Sequence, residues 1–305
     1  MSGASLPFTK VQGLGNDFVV VDLRPGKPGA EGAEAIQAPD AVRAVCDRHF
    51  GVGADGILAI LPGERGDARM RVLNADGSEA EMCGNGIRCV AKVLYEGDPA
   101  LRHTPLRIDT GAGLLECAID AGAHQVRTVS VSMGAPRFAR GEIPLAPGGS
   151  ERAIRAALDT GAHRFTFTAV SMGNPHAVIF IDDPSADLRA LAEEHGPRIE
   201  RLATFPKRTN VEFARVRGDE IDLVVWERGC GITLACGTGA CGTVAAACVE
   251  ERARPGREVP VHLPGGTLFI TVAPDLTNVV MRGPATTVFT SSLDLDALPA
   301  LSSAA

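Results

Sequence analysis

Residues 74–89, NADGSEAEMCGNGIRC, and residues 226–241, WERGCGITLACGTGAC, share one arrangement: a turn-rich stretch, a cysteine, a Gly-x-Gly turn and the opening of a helix. The two cysteines, Cys83 and Cys236, stand about half the chain apart, and a polar residue lies nine positions ahead of each, Asn74 and Glu227. A second echo joins Gly15-Asn16 to Gly173-Asn174, each pair set between two apolar runs that read as strands. Matched features in one order point to a single duplication, two copies of one fold, and not to the short repeats of a solenoid. Such copies are expected to present matching groups to opposite sides of one ligand.

Outward from these motifs, strands dominate. FTKVQ, GLGND and FVVVDL read as strand, turn and strand, followed by a Gly/Pro/Ala-rich surface loop between Arg24 and Pro39. AVRAVCDRHF (41–50) reads as a helix, GVGADGILAIL turns into an apolar strand, and RMRVLN is another strand. Ile87, Val90, Ala91 and Leu94 fall on one face of a helix predicted over 87–96. Short strands follow at LRID, GLLECAI and TVSVSM, with a boundary expected near Arg127–Ser130. The second half repeats the scheme: FTFTAVSMGNPHAVIFID as strand, turn and strand, a helix over 187–202, then strands TNVEFARV and EIDLVVWE. A turn-rich loop leads to Cys236, GACGTVAAACVEERA is helical, and VPVHLPGG, TLFITVA and VVMRGPATTVF close with strands. Many strands and few helices make an α+β protein. The expected domains are 1–128 plus 284–305, carrying Cys83, and 129–283, carrying Cys236.

The 305 residues suffice for two domains of ordinary size. Hydrophobic residues make up 45% but aromatics only 4%, so the core must rest on Val, Leu, Ile and Ala. A net charge of −7 argues against nucleic acid as a partner, because phosphate binding needs a basic surface. The N-terminal segment has no basic start followed by an apolar run, and no stretch approaches a membrane span, so a cytoplasmic protein is expected. The eight cysteines are then expected as thiols and not as a disulfide frame.

Each paired cysteine precedes a glycine-rich turn that opens a helix. A helix N-terminus carries roughly +0.5 of an elementary charge and several unpaired N–H groups. It is expected to lower the thiol pKa from about 8.5 and to seat a carboxylate on the N–H groups of Gly84, Asn85, Gly237 and Thr238. With an α-carboxylate held there and one sulfur on each face of Cα, a thiolate takes the α-proton while a thiol delivers another, inverting the centre. A positioned base contributes about 10²–10⁴-fold, and N–H donors aimed at the developing charge supply much of the rest. The two thiols must hold opposite protonation states, so their titration belongs to the pair.

Cys46, Cys89, Cys117, Cys230, Cys241 and Cys248 read as structural. A zinc site is the rival from another class, but no Cys-x-x-Cys occurs; no metal and no cofactor are expected. A non-catalytic amino-acid binder is a further alternative. GVGADG (51–56) matches a dinucleotide fingerprint only in letters, since it follows a helix and enters a strand. Of six asparagines, Asn16, Asn74, Asn85, Asn174 and Asn210 fall in the turn motifs, which fits a pocket of neutral amides. Glu227-Arg228 adds one charge of each sign, and His176 reads either as a supporting group that orients a carboxylate or tunes a thiol, or as a core histidine.

The chain resembles the diaminopimelate epimerases at GLGNDFVVVD (13–22), CDRHFGVGADGI (46–57), 74–89, SMGNPHAV (171–178), RTNVEF (208–213), 226–241 and LPGG (263–266), in order from about Phe8 to Phe289. The resemblance implies two pseudo-symmetric domains, each a mostly antiparallel, barrel-like sheet around a central helix, in a cofactor-free homodimer. It implies interconversion of LL- and meso-diaminopimelate, feeding lysine and peptidoglycan synthesis, with Cys83 and Cys236 as acid and base. It places Asn16, Asn74, Asn174, Asn210, Glu227 and Arg228 in the substrate pocket, and Gly84, Asn85, Gly237 and Thr238 at the carboxylate. Gly56 stands where some members carry a glutamine, Trp226 replaces a common tyrosine and Ile232 a common glutamate. Proline and hydroxyproline racemases are similar at both cysteines but typically carry histidine at the Asn85 position and Asp-Arg-Ser where this chain has Glu227-Arg228-Gly229.

Overall fold

The computed structural model describes residues 5–147, 149–161 and 163–295. Two compact units divide the chain: one runs to Val131 and resumes at Gly283, and the other is Ser132–Arg282.

In the first unit β1 (Ser5–Gly13) and β2 (Asn16–Asp22) form a hairpin, and α1 (Ala33–Ile36) and α2 (Pro39–Cys46) lead into β3 (Gly56–Leu61). Then come β4 (Ala68–Asn74), the short β5 (Glu79–Ala80), α3 (Gly84–Gly97), β6 (Leu106–Thr110), β7 (Gly113–Gly122) and β8 (Gln125–Ser132). The sheet runs β1-β2-β3-β4-β6-β7-β8, parallel at β2–β3 and β4–β6 and antiparallel elsewhere, with β5 beside β4.

The second unit repeats this. β9 (Ala156–Asp159) flanks β10 (Arg164–Ser171) and β11 (Pro175–Phe180); α4 (Leu188–Glu200) precedes β12 (Asn210–Arg217), β13 (Glu220–Glu227) and the short β14 (Gly231–Ile232). After α5 (Gly237–Val249) come β15 (Glu258–Leu263), β16 (Gly266–Val272) and β17 (Val279–Gly283). Parallel pairing again falls at two equivalent places, β11–β12 and β13–β15, in an otherwise antiparallel sheet. The chain then returns to the first unit as β18 (Thr286–Asp294), antiparallel to β1 as β9 is to β10.

Within each unit the sheet wraps a helix. α3 packs on β1, β2, β3, β4 and β7, and α5 on β10, β11, β12 and β16. Gly239 through Cys248 are buried without interruption, because a helix enclosed by strands has no solvent face. Its small residues, GTGACGTVAAACV, let the strands come close. The outer face of each sheet carries a second layer. Val42 and Val45 of α2 cluster with Val19, Val21, Ile57 and Ala59, and Leu188, Ala192 and Ile199 of α4 cluster with Ile179, Val211 and Phe213. Strands covered on both faces read as unbroken apolar runs, which explains FVVVD and GILAIL.

Several boundaries differ from the sequence reading. The helix predicted over 41–50 stops at Cys46, because Asp47 Oδ1 accepts the His49 and Phe50 amides at 2.7 and 2.8 Å and turns the chain. VVMRGPATTVF is two strands, split at Gly283-Pro284. α3 begins at Gly84, three residues ahead of the apolar periodicity. On α3, Arg88 is fully buried; its Nη1 donates to Gly84 O (2.9 Å), Nη2 to Asn85 Oδ1 (2.9 Å) and Nε to Pro284 O (3.2 Å). One guanidinium thus ties the first turn of α3 to the returning strand. Among the described residues, no helix is long and apolar enough to cross a membrane.

Candidate active site

Cys83 caps α3. Its backbone is extended (φ −134°, ψ 116°), which turns the sulfur back over the helix start, where it accepts the Gly86 amide at 3.3 Å. Asn16 opens β2 after a turn in which Leu14 and Gly15 both have positive φ (57° and 85°). Its Oδ1 accepts Asn85 Nδ2 at 3.3 Å and lies 3.8 Å from Cys83 Sγ, while its Nδ2 donates to Asp55 Oδ2 at 2.7 Å. The first unit therefore gathers Cys83, Asn85 and Asn16. Asn74 ends β4 with its amide on Ser78 Oγ at 3.0 Å. Gly56 pairs with Asn74, and a Cβ there would fall 2.5 Å from Leu73 O, so this backbone admits only glycine.

Cys236 caps α5 and is 4% exposed. A chain of contacts runs from it into the sheet. Its Sγ lies 3.6 Å from Thr238 Oγ1, which accepts Asn174 Nδ2 at 3.3 Å; Asn174 Oδ1 lies 2.9 Å from His176 Nε2, and His176 Nδ1 lies 2.6 Å from Glu212 Oε1. His176 and Glu212 side chains are wholly buried, and Glu212 Oε2 has no hydrogen-bond partner among the described residues. Gly239 admits that carboxylate under the first turn of α5: a Cβ there would stand 3.1 Å from Glu212 Oε1 and 3.2 Å from Cys236 Sγ. Glu227 Oε1 accepts Thr233 Oγ1 at 2.5 Å. Asn210, buried, spends its amide on backbone: Nδ2 donates to Pro175 O at 2.9 Å and Oδ1 accepts the Arg228 amide at 2.9 Å. Arg228 is exposed, with Nη1 3.4 Å from Lys207 O.

The charges around Cys236 overturn one expectation. The helix N-terminus alone predicts a lowered thiol pKa at both cysteines. At Cys236 burial raises the thiol pKa well above its ordinary value, and the Glu227 and Glu212 charges raise it further; Thr238 and the Gly239 amide oppose this and lose. Desolvation of an enclosed sulfur beside two carboxylates outweighs a dipole of half a charge. Glu212 is itself pushed up by burial against the pull of His176. Glu227 keeps a partly exposed edge, yet the protein packed around its carboxyl raises its pKa too, opposed by Thr233 and Cys236 donating to it. Cys236 is a thiol held among acids.

Glu212 escaped the sequence reading. Its only signal is a carboxylate amid the buried run Asn210–Ala214, where a charge demands a partner. Among the described residues no group of three or more His, Cys, Asp or Glu side chains is placed to hold a metal ion.

The fold is that of amino-acid racemases and epimerases and related isomerases: a hydroxyproline epimerase from Agrobacterium vitis superposes with a TM-score of 0.64, covering 95% of this chain and 91% of that one at 16% identity. At that identity the likeness is one of fold. The sequence goes further, matching the family described as diaminopimelate epimerase over residues 8–139 and 168–288. A diaminopimelate epimerase of Desulfitobacterium hafniense is 46% identical over 96% of this chain and all of its own length, and one of Pelotomaculum thermopropionicum is 48% identical over 92% and 96%. The chain belongs to the diaminopimelate epimerase family.

Replacing Glu227 by glutamine removes a negative neighbour, so the pKa of Cys236 must fall. The measurement is the ultraviolet thiolate absorbance of Cys236 against pH, taken as the difference from Cys236→Ser. A midpoint that stays put or rises in Glu227→Gln contradicts the electrostatic assignment.

Proposed function

We propose that the chain epimerises LL-2,6-diaminopimelate to meso-diaminopimelate without a cofactor, by a two-base thiol mechanism, in lysine and peptidoglycan biosynthesis. The observation that carries this reading is the matched placement of Cys83 and Cys236 as caps of two enclosed helices in a chain of this family. Cys236, protonated among its carboxylates, is the resting acid, which leaves Cys83 as the base that takes the α-proton from the LL isomer. As Cys83 bonds that proton, the electron pair left on Cα spreads into the α-carboxylate, and Cys236 gives its own proton to Cα. The products are the inverted centre, a Cys83 thiol and a Cys236 thiolate; the reverse direction exchanges the roles.

The growing charge on the carboxylate is met by the first-turn amides of Gly84, Asn85, Gly237 and Thr238, which cost no reorganisation because the helices fix them. Asn16, Asn74, Asn174, Glu227 and Arg228 serve the rest of the substrate, whose second ammonium and carboxylate call for amides and charges of both signs, and Asn210 serves it by holding the Arg228 backbone. His176 supports this machinery: its ring, fixed by Glu212 on one nitrogen, orients the Asn174 amide on the other. A proline-type racemase is the second reading within the fold, and Asn85, where those enzymes typically carry histidine, argues against it.

The same proposal includes the cytoplasm, where reducing conditions keep both thiols available, and a homodimer. Every residue of β18 but Leu293 is exposed, and Val288 and Phe289 are 56% and 45% accessible, a strand that a second copy would cover. Sedimentation at the mass of a single chain would remove the dimer from the proposal.

Cys83→Ala and Cys236→Ala are each expected to lose at least about 10³-fold of the LL-to-meso rate, with circular dichroism unchanged. Either variant keeping a tenth or more of that rate refutes the two-base assignment.

A further inference from the structure

The structure assigns Glu200 as the positioning residue of the Glu227–Cys230 turn, and so of Arg228, for binding the non-reacting end of the substrate; this rests on the function proposed above. Glu200 is the last residue of α4, and its side chain is 3% exposed. Three donors from two other segments converge on it. Trp226 Nε1 donates to Oε2 at 2.8 Å, the Gly229 amide donates to Oε1 at 3.1 Å, and Arg208 Nη1 lies 3.5 Å from Oε1. A buried carboxylate that accepts on both oxygens fixes its donors more firmly than a neutral acceptor. Its donors bracket the two residues proposed to meet substrate: Trp226 precedes Glu227-Arg228 and Gly229 follows.

The surroundings are built for this contact. The Trp226 ring lies on α4 at Gly196, where a Cβ would come within 2.6 Å of Cγ, and a Cβ at Gly231 would meet the far edge of the ring at 3.6 Å. Trp226 and Glu227 pair with Ile232 and Gly231 across a tight hairpin whose turn closes with Cys230 N on Glu227 O at 3.1 Å and places Gly229 at φ 80°. Asn210 Oδ1 holds the Arg228 amide. Two successive amides of the turn, Arg228 and Gly229, are thus held by Asn210 and Glu200, while the Arg228 side chain stays exposed. The Glu227 carboxylate has a separate restraint, Thr233. Disturbing Glu200 therefore displaces Arg228 more than it disturbs the acid chemistry.

Trp226 is the chain's single tryptophan, so its emission reports this contact without interference. Two variants reach the turn by different routes. Glu200→Gln keeps shape, but one of its two heads is now a donor facing a donor. Gly196→Ala leaves Glu200 intact, suits a helix, and pushes the indole off its seat. Both are expected to red-shift the emission of the ligand-free protein and to speed hydrogen exchange in the peptide spanning 226–232. Both are also expected to raise KM for diaminopimelate about tenfold, the scale of one charged hydrogen bond, with kcat within about twofold. A purely structural role predicts a lower melting temperature with no split between KM and kcat, and that result overturns the assignment. Unchanged emission and exchange in both variants overturn it whatever the activity. If the parent protein fails to epimerise diaminopimelate, the proposed function falls, and emission and exchange still decide the role of Glu200.

Discussion

A helix enclosed by its own sheet can meet a ligand only through an end, and in each unit the N-terminal end is capped by a cysteine. Burial on all sides demands small apolar residues along the helix, as in α5, and leaves the first-turn amides without intrahelical acceptors. The Gly-x-Gly after each cysteine lets that end lie open to an anion. Sheet order, hairpins and the covering helices follow from the need to close strands around such a core. The rest of the machinery is arranged about those two caps.

Duplication supplied the frame, but the two caps have diverged in their electrostatics. The Cys83 sulfur accepts an amide and stands among the neutral side chains of Asn16 and Asn85. Cys236 is buried beside Glu227 and Glu212, which favours the protonated form over the opposing pull of Thr238. An inversion that needs one proton donor and one acceptor has a physical reason to build its halves unequally. The buried His176–Glu212 pair stiffens the acid side, and Glu212 Oε2, beneath α5, has no hydrogen-bond partner among the described residues.

Much of this was legible in the sequence. Cysteine, glycine turn and helix are local signals, and their recurrence exposed the duplication without coordinates. The asparagines were visible as a class, but not their division of labour: Asn16 and Asn85 meet at Cys83, whereas Asn210 is spent on holding Pro175 and Arg228. Glu212, Glu200 and Arg88 were missed, because each is a charged residue whose burial is set by distant segments. A carboxylate at the end of α4 reads as solvent-facing until Trp226 and Gly229 are folded onto it. The depressed thiol expected at Cys236 failed for the same reason: the dipole is written locally, and the opposing carboxylates come from other strands. Asp47, by contrast, could have been read as the stop of α2, since its side chain acts two and three residues ahead.

The central claim is that separate sulfurs handle the two protons of one inversion. It is tested most directly by running the reaction from LL-diaminopimelate in deuterated water to low conversion and analysing product and unreacted substrate separately. The account predicts one deuterium at the inverted centre of the meso product and almost none in the recovered LL isomer. Deuterium accumulating equally in both pools, or product that keeps the original proton, would mean that a single group removes and returns it, and would contradict the account.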